Sequence, residues 1–373
     1  MIILFALFSV FVLYFLYNYL FDRLWMKKLS VSLSFSSEHA VEGQKQSLHE
    51  TVTNCKWLPL PMIQVKFMTS RNLIFEDTNN STVTDHYYRN DMLSLMMFQQ
   101  ITRTLTFECS HRGYYTIDHI DLICSNLFMT LSHIKEYELN VHLYVYPKPF
   151  EFDRIEAPFQ KMYGTVLTKR FINEDPFEFR SIREYQSYDN LKSINWKSSA
   201  KTGSLKVNVN DYTSSQQIKI LLNIECEGMR IFEDLQEESI RIAATYALAF
   251  IERGISVSIL TNARDIITND VLIVPPGSGM NHIQSLMEAL SRIDPSLGTI
   301  PFVPLIQQEL NDITKNDYII LISTYQKENL QQLLLNQQPN KIEYSWIIPI
   351  NEEVDLHVCE TLKSKVIPWN IVQ

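Results

Sequence analysis

From Ile2 to Phe21 the chain is apolar apart from Ser9 and Asn18, and about 20 such residues at roughly 1.5 Å each match the hydrocarbon thickness of a bilayer. One transmembrane helix is therefore expected over residues 2–21. A cleaved leader needs a basic start and small residues before the cut. Here Met1 is followed at once by apolar residues and the run ends Asp22-Arg23-Leu24-Trp25, so the helix reads as an uncleaved anchor. Arg23, Lys27 and Lys28 follow it directly and no charged side chain precedes it. The positive-inside rule then puts the amino terminus outside and the body in the cytoplasm, at the inner face of the cell membrane. Tyr14, Tyr17, Tyr19 and Trp25 fit an interfacial aromatic belt or plain packing equally well.

The chain beyond the anchor is long enough for two folded units. Five cysteines without a Cys-x-x-Cys pair fit a reducing compartment rather than a disulfide framework. A formal net charge of −9 excludes a general nucleic-acid binder, because neutralising phosphates takes clustered Lys and Arg.

Residues 29–146 read as short antiparallel strands. Leu29–Phe35, Ile63–Phe67, Arg103–Phe107 and Val141–Val145 alternate with period two, separated by turn material such as Glu42-Gly43 and Arg112-Gly113. An immunoglobulin-like β sandwich buries one face of each strand. Tyr146-Pro-Lys-Pro149 breaks the pattern, and 147–180 is read as a linker. The 211–373 region changes to strand, helix, strand. Ile218–Leu222, Ile255–Leu260, Tyr318–Ile322 and Glu343–Ile350 are strands, while Glu233–Arg253 and Ile283–Arg292 are helical. The expected class is thus α+β multidomain: an N-terminal transmembrane helix, a β sandwich, and an α/β Rossmann-like unit whose parallel sheet carries helices on both faces.

Between the two units, 181–210 carries Arg183, Tyr185, Asp189, Lys192, Trp196, Lys197 and Lys201, ending in Leu205-Lys-Val207. This pattern resembles the signature of the bacterial domain of unknown function 58 family: Arg-x-Tyr, Gly-Asp, Arg-x-Ile-x-Trp, Ala-Arg and a Leu-x-Val strand. The chain departs from it at Tyr188-Asp189 and in holding Lys192 and Lys201 where arginines are usual, which loses the planar bidentate fork. The resemblance implies a C-terminal von Willebrand factor type A-like domain. Relatives commonly carry a two-helix hairpin ahead of the β domain, whereas one span fits here. Arg183 and Asp189 are expected to pair and fix a turn, with Trp196 wedged between domains. Arg183, Lys192, Lys197, Lys201 and Lys206 outnumber Glu184 and Asp189, so the segment also suits docking of an acidic partner.

A type A-like domain holds its metal on Asp-x-Ser-x-Ser at the end of the first strand. The equivalent stretch is Asn223-Ile-Glu225-Cys-Glu227, with Ser323 at a later strand end. That set is degenerate, although Glu225 and Glu227 suit Mg²⁺ as hard oxygen ligands. No phosphate-binding loop, nucleophile elbow or zinc helix occurs, so no catalytic residue is assigned. The leading expectation is a non-enzymatic, membrane-anchored interaction protein. The resemblance implies a MoxR-type AAA+ ATPase and other membrane proteins as partners, with lipid reached through the anchor and envelope complexes as the place of action. A divalent-metal adhesion module and an unrecognised hydrolase are the alternatives.

Overall fold

The computed structural model describes residues 2–172, 179–187, 189–210, 217–225, 232–312, 317–336, 342–351 and 354–371. Tyr188, Cys226 and Glu227 lie outside the described residues. The chain divides into two compact units, 1–148 and 149–373. It is a mixed α/β protein with an N-terminal apolar helix and several β-sheets.

In the first unit α1 (Ile2–Leu24) leads into β1 (Leu29–Phe35), β2 (His39–Val41), β3 (Lys45–Asn54), β4 (Leu60–Ser70), β5 (Leu73–Phe75), β6 (Ser81–Val83), β7 (His86–Leu95), β8 (Gln100–Cys109), β9 (Gly113–Ser125) and β10 (Ser132–Tyr146). These strands form two sheets, ordered β1-β3-β8-β5 and β2-β10-β9-β4-β7-β6. All pairings are antiparallel except that of β10 with β2. Period-two alternation turns Leu48, Val52 and Phe107 of the smaller sheet, and Ile63, Ile117 and Leu122 of the larger, into one shared core. Burial at these positions contributes about 2 kcal/mol each.

That core also takes in the C-terminal end of α1. Phe21 is fully buried and Trp25 is 7% exposed, and the Trp25 ring stacks on His133 of β10 at 5.3 Å. Of the aromatics near the apolar run, Tyr17 packs against the core together with Trp25, while Tyr19 is 54% exposed.

The second unit begins with α2 (Phe152–Ile172), so the segment expected as a linker is in part a 21-residue helix. Its buried face, Ile155, Phe159, Met162 and Val166, has helical spacing. Phe159 meets Phe250 at 4.6 Å. Then come β11 (Phe179–Glu184), α3 (Trp196–Thr202), β12 (Lys206–Asn210), β13 (Gln217–Leu222), α4 (Glu233–Ile251), β14 (Ser256–Arg264), β15 (Val271–Gly277), α5 (Met280–Ser291), α6 (Phe302–Asp312), β16 (Tyr318–Ile322), α7 (Glu328–Asn336), β17 (Glu343–Ile350) and β18 (Val366–Asn370).

Strands β13 to β18 form one sheet ordered β15-β14-β13-β16-β17-β18, parallel except at the β15 edge. Helices α6 and α7 cover one face, with Phe302, Ile306 and Leu330 packed on Leu221, Leu321 and Trp346. α4 and α5 lie together and serve the strands β13, β14 and β15. α4 is buried almost all round, because the sheet takes one side and α2 part of the other. Glu233 and Asp234 stand in its first turn, where the helix dipole favours carboxylates. Gly254, at φ +73°, follows its end in the left-handed region that glycine enters without penalty.

Candidate functional site

The signature residues build a small independent scaffold. β11 and β12 pair antiparallel, and an Ile194–Val207 bridge closes the loop between them over two buried side chains. Asn195 caps α3 by accepting from Ser198 N at 2.9 Å. Gly203 ends that helix at φ +71°, donating to Ser199 O. Ser199 is 8% exposed. Its Oγ donates to Asn195 O at 2.8 Å and accepts from Lys206 N at 2.8 Å, tying helix to strand.

Arg183 and Asp189 form a two-pronged pair, Nη1–Oδ2 at 2.6 Å and Nη2–Oδ1 at 2.5 Å, and Gln186 N adds a third bond to the carboxylate at 2.8 Å. The Arg183 guanidinium holds the Asp189 carboxyl below its usual range. Tyr185 is half-buried, and its N–H donates to Leu205 O at 3.0 Å.

The remaining signature side chains face outward. Lys206 is bridged to Glu184 at 3.1 Å, whereas Lys192, Lys197 and Lys201 are exposed and form no ion pair among the described residues. The Trp196 ring is 68% exposed. It opens a seven-residue helix that buries only Ser199, so the indole has no local face to pack on. Trp196 and the three lysines are thus exposed within one short segment, 192–201.

The other candidate lies at the carboxyl ends of β13 and β16. The strand order reverses there, which is where open α/β sheets place ligands. The structure brings Asn223 and Ser323 together, at 1% and 0% exposure. Asn223 Nδ2 donates to Ser323 Oγ at 2.8 Å, and Ser323 Oγ also accepts from Tyr325 N at 3.0 Å. Asn223 Oδ1 accepts from Asn262 Nδ2 at 2.8 Å and from Glu225 N at 2.9 Å. Glu225 is turned aside, its Oε2 accepting from Phe302 N at 3.2 Å.

These residues do not fit a dication. The two buried side chains at the centre are neutral and spend their polar atoms on one another, whereas Mg²⁺ demands near-octahedral oxygen ligation with carboxylates. Among the described residues no group of three or more His, Cys, Asp or Glu is placed to hold a metal. Asn262, at 0% exposure, completes this network and was missed in the sequence. Its signal was an amide beside Thr261 inside the mainly apolar run Ile259-Leu-Thr-Asn262-Ala. A cavity beneath α6 and α7 is lined by Leu221, Ile306, Leu310, Ile319, Leu334 and Tyr344, a set without a carboxylate or imidazole.

A third cluster, also missed, sits in the first unit. Glu50 and Asp91 are fully buried and Arg89 is 2% exposed. Arg89 Nε donates to Asp91 Oδ2 at 2.5 Å, and its other nitrogens reach Asp77 and Tyr87. Arg103 Nη1 stands 3.1 Å from Asp91 Oδ1, an ion pair without hydrogen-bond alignment. Both Glu50 oxygens lack a hydrogen-bond partner. Burial, with Asp91 adding repulsion, pushes the Glu50 carboxyl up to about 7.

Residues 181–334 match the family described as "Protein of unknown function DUF58". No curated protein matches the chain. Among solved structures it is similar to domains D2 and D3 of the major pilin SpaD from Corynebacterium diphtheriae, at 10% identity over 31% of this chain and 52% of that one, TM-score 0.24. The chain thus spans about half of that pilin fragment. It is also similar to a CARDB domain from Pyrococcus furiosus crystallised with di-metal ions, at 13% identity over 33% of this chain and 90% of that one, TM-score 0.21. A non-cellulosomal cohesin from Archaeoglobus fulgidus stands at 10% identity over 35% of this chain and 98% of that one, TM-score 0.22. Scores this low assign no fold, and the architecture rests on strand pairing alone.

Proposed function

We propose that the chain is a non-enzymatic, membrane-anchored interaction protein whose docking face is the outward side of the signature segment. One observation carries this reading: Lys192, Trp196, Lys197 and Lys201 are exposed within one short segment, the lysines without an ion pair among the described residues, while Arg183 and Lys206 are neutralised by Asp189 and Glu184. Structural lysines are tied down and these are not. An exposed aromatic in a segment with three unpaired lysines suits an acidic surface, the charge steering encounter and the indole supplying buried area. The partner is a MoxR-type AAA+ ATPase, as the family resemblance implies. α1 anchors the body as a single pass, with the amino terminus outside and the body at the cytoplasmic face of the cell membrane, in keeping with Arg23, Lys27 and Lys28 beyond the span.

The first unit is immunoglobulin-like. This reading is supported by the two sheets sharing one core and by Tyr115, whose hydroxyl donates back to His111 O at 2.9 Å, as a tyrosine corner does. The second unit is von Willebrand factor type A-like. Its sheet, counted from β13 as the first strand, runs 3-2-1-4-5-6 with the third strand antiparallel, and Asn223 and Ser323 stand at its switch point. The test is affinity capture of the full chain from detergent-solubilised membranes of cells that also express a MoxR-type ATPase. Recovery of the ATPase supports the proposal, and its absence from a capture that retains the anchored chain overturns it.

A further inference from the structure

The turn between β9 and β10, Asn126–Leu131, does not stand clear of the anchor but runs back along it. Asn126 Nδ2 donates to Asn18 Oδ1 at 2.9 Å, Leu127 N donates to the Tyr17 hydroxyl at 3.2 Å, and the Tyr14 hydroxyl reaches Thr130 Oγ1 at 3.3 Å. The Phe128 ring lies 5.2 Å from that of Tyr14 and 5.9 Å from that of Tyr17. Contacts at positions 14, 17, 18 and 21 of α1 fall on one helical face.

This places the turn in depth. From Phe21, where the helix enters the protein core, to Tyr14 is about 10 Å along the axis. The stretch apolar enough to cross is Ile3–Leu24, and its 22 residues cover roughly 33 Å against the ~30 Å of a hydrocarbon core, so Tyr14–Phe21 is part of that span. A span that crosses must therefore use the stretch beside the turn, and the turn goes into the bilayer with it.

The turn is built for that medium. Its outward side chains are apolar: Leu127 is 61% exposed, Phe128 53%, Met129 71% and Leu131 39%. Five of its six backbone donors, all but the Phe128 N–H, are satisfied without water. Asn126 N binds Leu131 O and Met129 N binds Asn126 O. The Asn126 side-chain oxygen takes Thr130 N at 2.9 Å and Leu131 N at 3.3 Å, and Tyr17 takes Leu127 N. Unmet donors in hydrocarbon cost several kcal/mol each. At the same end of the unit, Phe98 N donates to Lys56 O and Cys55 N to Lys28 O. The exposed Trp57, Met96, Met97 and Phe98 thus stand at the level of the basic residues that follow the span.

We propose that Asn126–Leu131 is a lipid-immersed finger, seated below the headgroups against the anchor helix with Leu127, Phe128, Met129 and Leu131 among acyl chains. It fixes the tilt and depth of the first unit on the membrane, which a flexible tether would leave free. This rests on the reading of α1 as a membrane anchor.

The test uses the full chain in phosphatidylcholine–phosphatidylglycerol vesicles, with Cys55, Cys226 and Cys359 replaced by Ser and one nitroxide attached at a time. The labelled positions are Phe128→Cys, Met129→Cys, Leu13→Cys within the span, and Val83→Cys at the far end of the unit. Collisional relaxation by oxygen, which concentrates in lipid, is compared with that by a water-soluble nickel chelate. Positions 128 and 129 are expected to favour oxygen as position 13 does, with position 83 favouring nickel. If 128 and 129 favour nickel while 13 favours oxygen, the finger is overturned and the anchor stands. If 13 favours nickel, the anchor reading falls and the finger with it. Met129 contributes least to the turn's packing, so its variant decides the matter should Phe128→Cys fail to fold.

Discussion

Replacing Glu50 by Gln is expected to strengthen the first unit at neutral and basic pH. The carboxyl lies between the sheets, where Asp91 repels it and Arg89 and Arg103 only partly offset its burial. Its folded-state value of about 7 stands above the ordinary 4.5. The folded chain therefore holds a proton that the unfolded chain releases, and this contribution, fully present below about 4.5, is lost as pH rises towards 7. Between these two values the ionised carboxylate costs the folded state about 3 kcal/mol at pH 8, and under about 1 kcal/mol at pH 5. Glutamine keeps the shape and removes the ionisation. Amide hydrogen exchange of the β3 and β8 ladder, in the full chain and at matched pH, isolates the unit. Exchange in Glu50→Gln should slow by about two orders of magnitude at pH 8 and by less than about tenfold at pH 5. Equal exchange in variant and parent at pH 8, or a gain that does not shrink at pH 5, would refute the reasoning.

Asn223→Ala removes the amide that joins Ser323, Asn262 and Glu225 N. It should cost the second unit about 2 kcal/mol, read as faster exchange in β13 and β16, and added Mg²⁺ should not restore the loss. Asp189→Asn breaks the two-pronged bond to Arg183 and should release protection over 185–191 at every pH. In the parent the same loss should appear only as pH falls below the ordinary aspartate value, because the carboxyl is held below 3.8 and its contribution is present above that value.

Much of the architecture was legible because period and punctuation agreed. Leu29–Phe35 and Glu343–Ile350 occur as strands with the expected limits. In α4, Leu235, Ile240, Ala243, Ala247 and Ile251 are all buried. What escaped was shaped by proline and by tertiary cover. β15 contains Pro275 and Pro276 and β18 contains Pro368, tolerable because both strands lie at sheet edges. α2 was read as linker because Pro158 interrupts it and its apolar stripe makes sense only against α4.

Of the site residues, the Arg183–Asp189 pair was visible as complementary charges across a turn, and Asn223 with Ser323 as strand-end positions. The Glu50 cluster was readable in principle, since Leu48, Glu50 and Val52 share one face of β3, as do Tyr87, Arg89 and Asp91 on β7. Composition alone does not say which charges a sandwich will enclose. The β9–β10 turn escaped because Leu127–Leu131 looks like ordinary turn and strand material until α1 is seen beside it.

The docking face is tested most directly by the affinity of the full chain, held in lipid nanodiscs, for a MoxR-type ATPase as salt is varied. Parent protein is compared with the triple variant Lys192→Glu, Lys197→Glu, Lys201→Glu. All three side chains are exposed and without an ion pair among the described residues, so the reversals should leave stability within about 0.5 kcal/mol. The account predicts parent binding that weakens steeply with salt and a variant that loses at least about tenfold in affinity at low salt. A folded variant that binds as tightly as the parent, with the same salt dependence, would contradict it.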